Sequence, residues 1–318
     1  MRFPLPPAVP AAMRPLRVML EYFHPWPNSA GFYLARERGW YRDCGLELVL
    51  QLPDPWHGDG LAHLLRGDCD FAVFPSNRLL VRRAGGQPLR AIAAINQCGL
   101  EAIQTLTGLG IGRPRDLGGR RLAMNPTPRG LAMVRHLVAH DGGDPDALTI
   151  VDAGTRELRP EDLAAGVADA SFGGYWAWEA LMDSRIDAAR RVTWPVAALG
   201  APAYHSYLLG AHERTLATQA QQVRAFLAAT ARGFLAAAAA PLDALDAYER
   251  ATPYFPRSLL SASLHAIAPT WLHAGRWGQM RQPLLQGYAY WLAQHGVLAD
   301  AEAWRGAADP RFLAGAAA

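Results

Sequence analysis

Short apolar runs alternate with amphipathic segments along the first two thirds of the chain, and the alternation begins twice. Residues 16–20, 46–50, 70–74 and 89–95 read as strands, with helices at 30–38, 57–66 and 78–84 between them. The first run is mostly apolar, as a parallel strand covered on both faces must be. Gly39 and Gly67 stand where a left-handed residue ends a helix. After the glycine-rich stretch 107–112 the rhythm restarts. A helical turn is expected at 114–117, strands at 121–124, 148–151, 170–172 and 193–198, and helices at 127–141 and 160–165. Residues 207–211 read as a strand returning to the first unit, and 216–295 as mainly helical, broken by Pro241, Pro253, Pro256 and Pro269. Such repetition predicts an α/β fold of two lobes with mostly parallel sheets and a helical C-terminal part, with ligands at the carboxyl ends of the strands. The expected division is a disordered segment at 1–15, a first lobe at 16–107 and 200–318, and a second lobe at 108–199.

Composition narrows the chemistry. The chain has 318 residues, 51% of them hydrophobic and 19% charged, enough for sizeable cores and too apolar for intrinsic disorder. A net charge of +3 without any basic block makes nucleic acid an unexpected partner. All 31 basic residues are arginine. With no lysine, Schiff-base chemistry on a side chain is excluded, pyridoxal phosphate included, as is a phosphate loop of the G-K-[ST] kind. Cys44, Cys69 and Cys98 have neither metal-ligand nor disulfide-framework spacing. His57 and His63, near Asp59, fit no zinc signature. Gly108-Leu-Gly-Ile-Gly112 lacks the strand-to-helix context of a dinucleotide loop, and Tyr204-His-Ser206 lacks a nucleophile elbow. No metal and no cofactor is expected.

The proline-broken N-terminus does not read as a signal peptide, no lipidation site follows it, and Met13 is an equally good start. No apolar run reaches about 18 residues, so no membrane insertion is expected. The chain as written is expected in the cytoplasm, and in the periplasm or at the cell surface if its true start lies elsewhere.

Four stretches carry candidate chemistry. The loop after the first strand gathers Tyr22, Phe23, His24 and Trp26, whose exposure together is costly unless the rings line a cleft or join the core. Flat rings stack on a planar ligand, and Asn28 offers a donor and an acceptor. In Phe172-Gly-Gly-Tyr-Trp-Ala-Trp-Glu179 a strand ends at paired glycines. A helix starting there puts Tyr175 and Glu179 on one face, with the carboxylate placed to accept from an exocyclic amine. Asn125 and Thr127 precede a helix, where free amides attract anions or a threonine simply caps. Ser76 and Asn77 stand after the third strand as cleft contacts or as a plain N-cap.

Together these stretches resemble a known family. The run from Pro27 to Leu48, with Asp70-Phe-Ala-Val, Ala84-Gly-Gly-Gln-Pro88, residues 110–121 and Gly173-Gly-Tyr-Trp-Ala-Trp-Glu179, resembles the substrate-binding proteins that capture thiamine-pyrimidine precursors (the ThiY type, of the SsuA/ThiY-like ABC transporter proteins). It also resembles the related fungal pyrimidine synthases. The likeness covers about residues 16–234. It implies a two-lobed periplasmic-binding-protein fold of type II that closes on its ligand. It implies recognition by the aromatic loop and by the Tyr175/Glu179 pair, with an ABC permease as partner; with the residues of the other stretches, the candidate ligand contacts are Tyr22, Phe23, His24, Trp26, Asn28, Ser76, Asn77, Asn125, Thr127, Tyr175, Glu179 and Tyr204. Two departures bear on function. Tyr22-Phe23 replaces the Asp-Trp usual in pyrimidine binders, which keeps stacking and loses an acid. The histidine and lysine of the synthases align with Arg78 and Phe74, and their cysteine-rich iron motif is absent. The expectation is therefore capture of a small planar, pyrimidine-like molecule without turnover, rings coming from one lobe and an acid from the other. The alternatives are a cytosolic enzyme on the same scaffold, with His24 as base, or a ligand sensor.

Overall fold

The computed structural model describes residues 15–154 and 158–313. The expected N-terminal segment lies outside the described residues except for Pro15. Two five-stranded sheets organise the chain. The first contains β1 (Pro15–Met19), β2 (Glu47–Gln51), β3 (Phe71–Pro75), β4 (Leu89–Ala94) and a late strand, β10 (Tyr207–His212), in the order β2-β1-β3-β10-β4. The second contains β5 (Glu101–Leu106), β6 (Arg121–Met124), β7 (Thr149–Asp152), β8 (Ala170–Tyr175) and β9 (Arg191–Pro195), in the order β7-β6-β8-β5-β9. The architecture is the expected two-lobed α/β arrangement.

Pairing is parallel among β1, β2 and β3 and among β6, β7 and β8. β10 and β5 each enter between two strands and run antiparallel to both, which makes both sheets mixed. Parallel neighbours need a covering crossover helix, whereas a strand arriving from the other sheet does not. β5 is missing from the sequence reading. Its register Glu101-Ala-Ile-Gln-Thr-Leu106 precedes the expected restart at 107, yet it is a central strand of the second sheet. The chain thus passes between sheets at 95–100 and returns at 196–206.

Local chemistry accounts for the helices that flank the site. The expected helix at 57–66 is split: Gly58, at φ +99°, ends a short 3-10 turn, and Asp59 then caps Gly60–Arg66 by accepting from the Ala62 amide at 3.0 Å. Thr127 caps Pro128–His140 through the Gly130 amide at 3.1 Å. Ala30–Glu37 crosses Ala220–Ala239 at two glycines. A Cβ on Gly233 would lie 2.1 Å from the Gly31 carbonyl oxygen, and one on Gly31 would strike the Phe234 ring at 2.4 Å. Together these helices seal one face of the first sheet over Val18 and Phe71, with Phe226 of the longer helix stacked on Phe71 at 4.3 Å between ring centroids. A core on the other face runs from Phe74 and Leu80 into the second sheet through Ile103, Leu122 and Phe172. Among the described residues no single helix is long and apolar enough to cross a membrane.

Candidate functional site

Between the sheets lies a cleft of about 620 Å³. Its walls come from the segments after β1, β3, β6 and β7, from β8 itself, and from the start of β5, which meets them because it runs the opposite way. Five of the expected residues line it: Tyr22, Phe23, Asn125, Thr127 and Tyr175. Phe23 is 58% exposed, tilted against Tyr22 with ring centroids 4.5 Å apart, and so presents an uncovered aromatic face to the cleft. Ser171 and Gly173 on β8 continue the polar side, and Met124, Leu158 and Phe172 the apolar one.

Trp26 is a support rather than a contact. It is buried, stacks on Tyr175 at 5.1 Å with 15° between the planes, and donates through Nε1 to Glu21 at 2.8 Å. The Tyr175 hydroxyl shares a hydrogen bond with that of Tyr207. Burial pushes the Glu21 carboxyl above its usual range, outweighing the bonds it accepts from Asn28 and Trp26.

Glu179 bonds to Tyr22 directly, and not across a ligand-holding gap from the other lobe as expected. No helix begins at the paired glycines: β8 runs through them to Tyr175, and a turn leads to a single 3-10 turn, Glu179–Leu181. Trp178 causes this. Its backbone is non-helical (φ −140°, ψ −80°) because its indole is buried in the first-sheet core edge-on to Phe255, with ring centroids 4.9 Å apart, and the preceding Ala177 carbonyl accepts from Ser263. Glu179 accepts from the Tyr22 hydroxyl at 3.1 Å and from the Tyr175 amide at 2.6 Å. The acid therefore does not reach across from the other lobe; its segment packs on the same core as Tyr22 and braces the two tyrosines.

The remaining expected residues lie away from the cleft. Asn28 is fully buried and spent: it donates to Glu21 and Asn96, and accepts from Asn96 at 2.7 Å and from Trp271 at 3.0 Å. Only a buried carboxamide with all its bonds made inside the fold looks like this, so the contact role expected for it gives way to a structural one. His24 packs against Trp178 and Phe255, with Nδ1 2.8 Å from the Pro25 carbonyl, and burial lowers its pKa. It faces the core and not the cleft, which removes the geometry a base needs. The Ser76 hydroxyl donates to the His205 carbonyl, and Asn77 is half-buried in the first turn of Ser76–Ala84, outside the cleft walls. His205 is itself buried between the Asn96 carbonyl and the Arg281 amide, its pKa pushed down to about 4 by burial, so Tyr204-His-Ser206 is framework.

Two residues that sequence reasoning passed over form the charged end of the cleft. Arg129 clasps Glu101 with both terminal nitrogens, one at 2.9 Å, and donates through Nε to Tyr288 at 2.8 Å. The Tyr204 hydroxyl donates to Glu101 and its ring stacks on Tyr288 at 4.5 Å, one layer behind the cleft wall. Burial acts against the Arg129 charge, but the adjacent Glu101 overrides it and holds the guanidinium firmly protonated. No local signal marked them: Glu101-Ala-Ile-Gln-Thr-Leu106 lacks strict polar–apolar alternation, and Glu101 reaches the cleft end only because the strand pairs with β8. Among the described residues no three His, Cys, Asp or Glu side chains are grouped to hold a metal ion.

Many solved structures share this fold, three proteins among them. One is the alkanesulfonate-binding protein SsuA from Xanthomonas axonopodis pv. citri bound to MOPS (TM-score 0.68, 14% identity, 94% of this chain and 99% of that one). The second is the periplasmic aliphatic sulphonate binding protein SsuA from Escherichia coli (TM-score 0.66, 16% identity, 92% and 96%). The third is a mutant of the desulfurization enzyme DSZB in complex with biphenyl-2-sulfinic acid (TM-score 0.63, 15% identity, 95% and 98%). At such identities the likeness establishes the fold. No protein of curated function matches the sequence. The sequence profile of the family described as NMT1/THI5 like matches residues 26–244, more than half of the chain. The chain belongs to the NMT1/THI5-like family.

Proposed function

We propose that this protein captures a small planar solute, pyrimidine-like in shape, in the cleft between its sheets, and that it serves an ABC importer as the solute receptor without transforming what it binds. The observation that carries this reading is the exposed Phe23 ring, paired with Tyr22 and facing Asn125, Thr127 and Ser171 across a cleft of about 620 Å³. An uncovered ring opposite hydrogen-bonding side chains is what a flat heterocycle needs for stacking and in-plane recognition. Two chain crossings between the sheets allow closure, and contact from both sides then supplies the affinity of the closed form. The relatives named for binding alkanesulfonates support the receptor role, and export of the chain is part of the proposal. The inward-facing His24 and the absence of lysine favour binding over turnover.

Incubating the purified protein with aminopyrimidines, and following both thermal stabilisation and product formation, tests this. Stabilisation without product is expected; no stabilisation, or a new product, refutes it. Glu179→Gln weakens the brace on Tyr22 and Tyr175 and is expected to reduce aminopyrimidine affinity about tenfold, roughly 1.4 kcal/mol. Unchanged affinity removes Glu179 from the site.

A further inference from the structure

A second chamber of about 410 Å³ adjoins the cleft and shares Tyr22, Phe23 and Arg78 with it. Its inner corner holds two guanidinium groups and one carboxylate. Arg78 donates to Asp59 Oδ2 at 3.2 Å, and Arg82 to Asp59 Oδ1 at 3.2 Å and to Gln87 at 3.3 Å. Asp59 Oδ1 also accepts the Ala62 amide that it caps. The carboxylate is thus spent on three donors, while each guanidinium brings five N–H groups and Arg78 uses one.

Arg129 is placed differently. That arginine is buried, clasped on both terminal nitrogens by its own Glu101 and tied to Tyr288, so a ligand gains little by approaching it. Arg78, its side chain 54% exposed on the partition between the two chambers, keeps its donor fork open. Glu21 also borders the chamber but does not neutralise the corner, because its carboxyl turns inward: one oxygen accepts from Trp26 and Asn28, and the other is buried.

We propose that Arg78 and Arg82 form an oxyanion subsite beside the cleft, so that the solute is a flat heterocycle carrying an acidic substituent (carboxylate, sulfonate or phosphate), its ring against Phe23 and its charged group in the second chamber. This rests on the cleft reading above and deepens it. Two cations sharing one carboxylate leave a unit of positive charge, and a planar guanidinium fork matches an oxyanion in two parallel bonds. Because the corner is open to water, the gain is expected to fall as salt rises.

The test compares 4-aminopyrimidine-5-carboxylate with its neutral 5-carboxamide by calorimetry, on the wild type, Arg78→Gln and the Arg78→Gln/Arg82→Gln double variant. The expected result is a carboxylate preference of about tenfold or more in the wild type at low salt. It should fall to about twofold or less in the variants, whose cooperative unfolding transitions report intact folding. Equal affinities in the wild type, or a preference that survives in the double variant, overturn the subsite. If neither pyrimidine binds the wild type, the cleft reading fails and inorganic sulfate decides the subsite alone. Thermal stabilisation by sulfate at constant ionic strength, present in the wild type and lost in the double variant, supports it. Equal or absent stabilisation in both overturns it.

Discussion

Replacing Arg129 by methionine leaves the Glu101 carboxylate at the inner end of the cleft with only the Tyr204 hydroxyl beside it. The wild-type pair is well covered, with side-chain exposures of 12% for Arg129 and 17% for Glu101. Removing one member of a buried ion pair costs about 3–5 kcal/mol, mostly because the survivor stays buried and uncompensated. Methionine retains much of the arginine stem volume, which keeps the packing contribution small. For a protein of this size that loss corresponds to a fall in melting temperature of roughly 4–8 °C. Urea unfolding followed by tryptophan fluorescence measures it directly. The decisive comparison is the double variant Glu101→Gln/Arg129→Met. With no charge left to strand, it is expected to be more stable than Arg129→Met alone, by about 2 kcal/mol. If Arg129→Met costs less than about 1 kcal/mol, or if the double variant falls by the sum of the two single losses, the pair is not the buried, coupled unit described here.

Two further perturbations probe the scaffold beneath the site. Gly233→Ala places a methyl group 2.1 Å from the Gly31 carbonyl, backbone against backbone, and is expected to destabilise by about 1–3 kcal/mol in thermal or urea unfolding, whereas Gly287→Ala, with open space around it, is expected to be neutral or stabilising. Glu21 has a folded pKa raised above 4.5, so the native state holds its proton more tightly than the unfolded chain. Stability from that site is complete below the unfolded pKa and is lost as pH rises through the folded one. Glu21→Gln keeps an acceptor for Trp26 and Asn28 without a charge, and is expected to unfold at a higher temperature than the wild type at pH 7, with the gap closing toward pH 4. A gap that is constant with pH, or that widens in acid, refutes the assignment.

Legibility differed between the fold and the site for identifiable reasons. β3, the cap Thr127 and the stop at Gly39 obey local rules and stood out in the sequence. β5 did not, because its six residues do not alternate polar with apolar, and a short irregular run flanked by loops looks like a connection until partners on both sides pair with it. The expected helix at 175–179 failed for a related reason. Its residues tolerate a helix, but burying Trp178 in the other lobe's core is worth more than one helical turn. Asn28 was identified correctly as a special polar residue and misplaced, since nothing local reveals that Asn96 and Trp271 converge on it from 68 and 243 residues away.

The amino-acid order alone determined that two α/β units would form, where most helices start and stop, that lysine chemistry is impossible, and that aromatic residues crowd the end of the first strand. These follow from periodicity, capping and side-chain inventory, which act over a few residues. Tertiary structure alone decided which rings face the cleft and which support it, that Glu179 braces Tyr22 from the same side, that Glu101 and Arg129 close the inner end, and that Arg78 keeps its donors open. Each of those outcomes depends on burial and on partners distant in the chain, and a side chain's exposure, charge state and free hydrogen bonds come into being only when the two sheets pack.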